Sequence, residues 1–287
     1  MILSTQTDVL ARTFGYVESV KILAEAGFDA IDFSMFGMER PDHFLNTPEA
    51  LETIREIRRT ADECGVVFNQ AHAPFPSRII GKEDYNETIQ PALIRSIEYA
   101  GILGAGIIII HPISIPGDPV GQKEINMALY HSLEDTLRRC GVKAALENMF
   151  TWNNEEKRID YGACAQWEQF CEYLDELDPA LFTACLDIGH SGLVGIPAAD
   201  MIRGLGHDRL GSLHVHDNDN KTDLHTLPFT QKLDWTAITA ALKEINYKGE
   251  FTFEADNFLA RFPDPLKPQA SKFMHDVGRQ LIAMIES

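Results

Sequence analysis

Short runs rich in Ile, Val and Phe recur eight times along the chain, and each is followed by a longer segment of helical period. The runs lie near residues 2–6, 30–35, 66–72, 106–111, 142–148, 181–187, 210–216 and 250–255. The segments near 17–26, 47–64, 87–103, 124–140, 167–177, 197–205, 235–245 and 267–285 repeat their apolar residues at helical spacing. A strand whose following helix must return to a parallel neighbour leaves few architectures open. Eight such units in 287 residues predict an α/β fold, a single (β/α)8 (TIM) barrel domain spanning 1–287. An open doubly wound sheet would place a glycine-rich phosphate turn after its first strand, and TQTDVLARTFG offers none.

Punctuation agrees with this division. Gly27, Gly65, Gly141 and Gly206 follow apolar-periodic stretches, where a left-handed cap residue is wanted. Thr47-Pro48 reads as an N-cap followed by a proline in the first turn, and Asp234 as the N-cap of the helix that starts at Trp235. No low-complexity linker, basic tail or short-period repeat divides the chain.

Composition narrows the function. A formal charge of −18 opposes polyanions and anionic membrane surfaces, so neither nucleic acid nor membrane is the expected partner. The opening MILSTQTDVLARTF lacks a secretory pattern, and the longest apolar run, GILGAGIIII, is about half of a membrane span. A cytoplasmic protein is expected. The five cysteines follow no zinc-ribbon or CxxC spacing and read as reduced packing thiols.

In this fold, chemistry gathers where the loops after the strands converge. His72, His111, Glu147, Asp187, His214 and Glu254 each stand at the end of a predicted strand. Carboxylates crowded into one mouth repel one another, and a cation resolves the conflict. Glu147, Asp187, His214 and Glu254 end the last four strands and form a hard, oxygen-rich set that suits one divalent ion: Mn²⁺, Mg²⁺ or Co²⁺, with Zn²⁺ an option. His190 stands three residues past Asp187, as a candidate ligand or substrate contact. His216 shares the strand face of His214, where it either acts directly or steadies a ligand. Asp223 and His225 follow in the next loop, either at the mouth or in solvent. Phe36, Phe150 and Trp152 are candidates for an apolar pocket wall.

HAP at 72–74, HP at 111–112, LEN at 146–148, DIGH at 187–190, HVHDND at 214–219 and FEAD at 253–256 occur in order. As a set they resemble the xylose-isomerase-like TIM barrels, a superfamily of sugar (phosphate) isomerases and epimerases related to the family-2 apurinic endonucleases. The resemblance to the ketose 3-epimerase branch implies a metal on Glu147, Asp187, His214 and Glu254, proton exchange by Glu147 and Glu254 through an enediolate, and a sugar contact at His190. One departure concerns substrate: NDNKTDLHTLPFTQ carries Lys221 and no glycine, where that branch has an arginine and a glycine-rich turn. The endonuclease branch implies up to three zinc ions on His72, His111, Glu147, Asp187, His190, His214, Asp223, His225 and Glu254. The expected function is therefore a divalent-metal sugar or sugar-derivative isomerase or epimerase, with a homo-oligomer possible for such barrels. The alternatives are a trinuclear-zinc phosphodiesterase and a barrel subunit of a lyase or deglycosylase complex.

Overall fold

The structure, a computed structural model, describes all 287 residues. Strands β1 (Leu3–Gln6), β2 (Ala30–Ser34), β3 (Val67–His72), β4 (Ile107–Ile109), β5 (Lys143–Glu147), β6 (Phe150–Asn153), β7 (Arg158–Tyr161), β8 (Phe182–Asp187), β9 (Leu210–His214) and β10 (Phe251–Phe253) appear in chain order. Eight of them pair in parallel in the order β10-β1-β2-β3-β4-β5-β8-β9. A parallel bridge between Val215 and Phe253 joins the last strand to the first, so the sheet closes into a TIM barrel. No helix is long and apolar enough to cross a membrane.

Strand alternation divides the core in two. Leu3, Ile31, Phe33, Phe68, Leu146, Leu186, Leu213 and Phe251 belong to one apolar cluster of 72 buried residues, which fills the layer between sheet and helices. Ile109, Ala145 and Cys185 form a separate small cluster on the other face of the sheet. Polar side chains share the barrel interior: Asn69 accepts from Ser4 and donates to Thr252, while Gln70 donates to Asp32 and accepts from Ser212. Burying these groups is tolerable because they satisfy one another.

The expected helices are present with shifted ends. The helix expected from Thr47 begins at Ala50, because residues 44–46 form a 3-10 turn and the backbone carbonyl of Thr47 accepts from Ala50. Gly27, Gly65 and Gly141 adopt the left-handed cap. Gly206 does not; its φ of 70° and ψ of −177° kink a helix that continues to Arg209. Asp234 caps the Trp235–Glu244 helix by accepting from Ala237 N. Several elements were not expected, among them the short helices Ile188–Leu193 and Asp256–Ala260. A short helix, Asp8–Phe14, follows β1, and β6 and β7 form an antiparallel hairpin outside the barrel, across which Trp152 pairs with Ile159.

Candidate active site and metal centre

β5, β8, β9 and β10 are consecutive around the barrel, and alternation turns the last residue of each, or the first after it, inward. One ligand atom from each of Glu147, Asp187, His214 and Glu254 therefore meets the others within 4.8 Å. His214 Nδ1 lies 3.3 Å from Glu147 Oε1 and 3.1 Å from Glu254 Oε2. Its Nε2 faces Asp32 Oδ2 at 3.7 Å. Neither ring nitrogen makes a well-directed hydrogen bond, and Glu147 Oε2, though His111 Nε2 lies beside it, is likewise buried without one. Gln6 Nε2 donates to Glu254 Oε1 at 2.7 Å and fixes that carboxylate.

Two further groups share this floor. His72, His111 and Glu147 converge within the same limit, with His111 Nε2 3.0 Å from Glu147 Oε2. His190, His216, Asp223 and His225 form the other, with His225 Nε2 2.9 Å from Asp223 and His190 Nε2 3.7 Å away. Three of these imidazoles are held alike. His72, His190 and His225 donate Nδ1–H to the carbonyls of Ala73, Asn148 and Glu254, and so turn Nε2 toward the acidic groups. A backbone carbonyl that fixes the tautomer in this way is the usual outer partner of a metal-binding histidine. His216 Nε2 contacts both oxygens of Asp187, at 3.0 and 3.1 Å, and its ring stacks on His225. The backbone of His225 sits at φ 40°, a strained conformation of the kind that collects at functional sites.

Charge balance explains the protonation. Burial opposes ionisation of Glu147 and Glu254, but His214, together with His111 at Glu147 and His225 at Glu254, outweighs it and holds both carboxyls well below their usual range. Burial opposes the charged form of His190, yet Asp187, Asp223 and Glu147 prevail and push it up to about 10. Against the same burial, Cys185, Glu254 and Glu147 drive His214, and Glu254 and Asp223 drive His225, well above the imidazole range. His111 moves down, burial dominating over Glu147. Protons thus supply the positive charge that this many buried carboxylates demand.

Several supporting residues escape sequence reasoning. Asn148 clamps Asp187, donating Nδ2 to its carbonyl and accepting its N–H at 2.7 Å. Asp217 is fully buried and accepts from Gln231 N, Leu233 N and Trp235 Nε1, which anchors the loop that carries Asp223 and His225. Asp32 lies beneath His214; a charge between Ile31 and Phe33 on an apolar strand was its only sequence signal. Gly189 of DIGH is needed for close approach, since a Cβ there would stand 2.0 Å from His216 Cε1.

Above the floor lies a cavity of about 820 Å³. Phe36 and Phe150 line it, whereas Trp152 does not: β6 carries it beyond the rim, where it is 53% exposed. Phe36 sets its edge to His72, Phe75 stacks on His111 and Phe150 sets its edge to His190. Asp8 and Asp256 add carboxylates to the wall. Burial, then Asp8 and Glu254, push Asp256 up to about 8.

Comparison with known proteins agrees with this architecture. Residues 20–275 match the model of a family described as "Xylose isomerase-like TIM barrel". The chain is 25% identical over 249 residues to D-psicose 3-epimerase from Enterocloster bolteae, an alignment covering 83% of this chain and 75% of that protein. A crystal structure of a D-tagatose 3-epimerase-like protein superposes with a TM-score of 0.77 at 19% identity, covering 100% of this chain and 98% of the other. The apo crystal structure of 3-keto-D-glucoside 4-epimerase from E. coli gives 0.72 at 18% identity, covering 98% and 99%.

Proposed function

The chain belongs to the xylose isomerase-like TIM barrel family, and we propose that within it this protein is a divalent-metal-dependent epimerase or isomerase of a sugar or sugar derivative. The observation that carries this reading is the convergence of Glu147 and Glu254 from the two ends of a four-strand arc onto the same His214 nitrogen. With a carboxyl on each side of a substrate carbon, one as carboxylate can remove the proton next to a carbonyl and the other, once protonated from solvent, can deliver a proton to the opposite face. The similarity to a D-psicose 3-epimerase supports the same class of reaction.

Glu147, Asp187, His214 and Glu254 suit a hard divalent cation. They supply three carboxylates and one imidazole, and His214 Nδ1 is buried between Glu147 and Glu254 without a hydrogen bond. A cation bound there would supply Lewis acidity for the substrate carbonyl and favour the enediolate. The remaining work falls to the chain itself. Gln6 keeps Glu254 aimed into the barrel, and Asn148 keeps Asp187 in register. His190, with Nδ1–H committed to Asn148, turns Nε2 to the cavity floor, where it would meet a substrate hydroxyl. The Phe36, Phe75 and Phe150 rings limit water at the floor.

A second reading, a three-zinc phosphodiesterase, draws on the two further groups of ligand atoms and their Nε2-presenting histidines. The charge of −18 and the acidic loops oppose a DNA substrate. Metal analysis of protein purified without chelator separates the two. About one Mn, Mg or Co per chain supports the epimerase. Three zinc ions per chain, with incision of a duplex containing an abasic site, would replace it with the phosphodiesterase.

A further inference from the structure

The cavity over the floor is two-sided. Loops after the adjacent strands β3, β4 and β5 contribute Phe75, Ile79, Ile80, Ile113, Ile115 and Phe150. Loops after β9, β10 and β1, which are also contiguous, contribute Asp223, Glu254, Asp256 and Asp8. One half is therefore apolar and the other acidic, with the ligand groups between them. Ile80 is 54% exposed and Phe75 37%, so the apolar half lies open to water without a ligand. Apolar surface of this kind inside a polar rim marks a place where a ligand buries it.

Size points the same way. At about 820 Å³ the cavity is near the top of the ~300–1,000 Å³ range of pockets that enclose drug-sized ligands, and a free hexose is well below drug size. A hexose held by the acidic half and the floor leaves Ile79, Ile80 and Ile115 uncovered, whereas Ile113 is already buried in the core. Charge narrows the remainder. Both arginines of the cavity already face a carboxylate, Arg12 with Asp8 at 2.5 Å and Arg78 with Glu83 at 3.4 Å, so neither stands free for a phosphate beside Asp223, Glu254 and Asp256.

Building on the sugar-epimerase reading, we propose that the natural substrate is an uncharged glycoside, a keto-sugar bearing an aryl or alkyl group at its non-reacting end, which packs against Ile79, Ile80 and Ile115. The sugar ring lies on the acidic side and the aglycone on the apolar side. Burial of the aglycone removes apolar surface from water and so favours binding.

Calorimetry with phenyl glucoside, methyl glucoside and glucose tests this by binding: the two glucosides have no free carbonyl and cannot turn over, and glucose, whose open chain is an aldehyde, is a reference checked by NMR to be unchanged. The phenyl compound should bind at least tenfold tighter than the methyl compound and glucose. The Ile79→Ser/Ile80→Ser double variant, changed at half-exposed and exposed positions that spare the fold, should lose most of that preference. Equal affinities in the wild type, or a phenyl preference that survives in the double variant, overturns the proposal. The epimerase reading is read separately, by deuterium exchange into the matching keto-sugars in D₂O: exchange supports it, and its complete absence across all of them overturns that reading while the binding ratio still decides whether the apolar half takes an aglycone.

Discussion

Metal binding should expel a countable number of protons. In the metal-free chain His214 favours its protonated form, because Cys185, Glu254 and Glu147 raise its pKa well above the imidazole value despite burial. Glu147 and Glu254 are ionised and have no proton to lose. The four-residue group contains a single imidazole, so the first ion should release about one proton. Affinity should then rise about tenfold, or ~1.4 kcal/mol, per pH unit until His214 reaches its raised pKa. If the His190–His216–Asp223–His225 group also fills, His190 and His225 give up about two more, since both are raised. The assay is calorimetry of Mn²⁺ binding to chelator-stripped protein in two buffers that differ in ionisation enthalpy, repeated across roughly pH 6 to 8. One proton supports a single ion and about three supports two. Affinity that is flat with pH, or no proton released, would refute this picture of protons standing in for the cation.

Three further outcomes follow from the same geometry. Glu254→Gln keeps the contact to Gln6 but removes the charge, so turnover should fall by roughly 10²–10⁴-fold with an unchanged circular-dichroism spectrum; wild-type rates would remove Glu254 from the chemistry. Gly189→Ala drives a methyl group into His216 and should weaken metal binding in a calorimetric titration, whereas unaltered affinity would mean that the His216–Asp187 contact does not position the site. Asp256 keeps a proton in the folded chain up to about pH 8 that the unfolded chain loses near pH ~4. Its contribution to stability is thus present at low pH and lost as pH rises between those values. The melting-temperature advantage of Asp256→Asn over wild type should therefore grow across that window, and a constant difference would contradict the shift.

The barrel was legible because two signals coincide: an eightfold strand–helix alternation, and ionisable residues at strand ends. Period-two geometry fixes where such residues point, so Glu147, Asp187, His214 and Glu254 could be grouped before any coordinates. The hairpin was not legible. TWNNEEKRIDYG has no apolar run, and its pairing rests on cross-strand contacts such as Trp152 with Ile159. Asn148 and Asp217 were illegible for another reason, since their partners lie 39 and 14–18 residues away and local propensity does not report them. Gly206 shows the limit of punctuation: a glycine after an apolar stretch permits a cap, and here the chain uses it for a kink within the helix.

Incubation in D₂O with a panel of ketoses and keto-glycosides, followed by NMR, asks whether this barrel moves a proton next to a carbonyl. Wild-type protein with a divalent ion should place deuterium at the carbon beside the carbonyl of at least one substrate. Chelated protein and the Glu147→Gln and Glu254→Gln variants should not. Exchange that persists after chelation or in both variants, or no exchange with any member of the panel, would contradict the assignment.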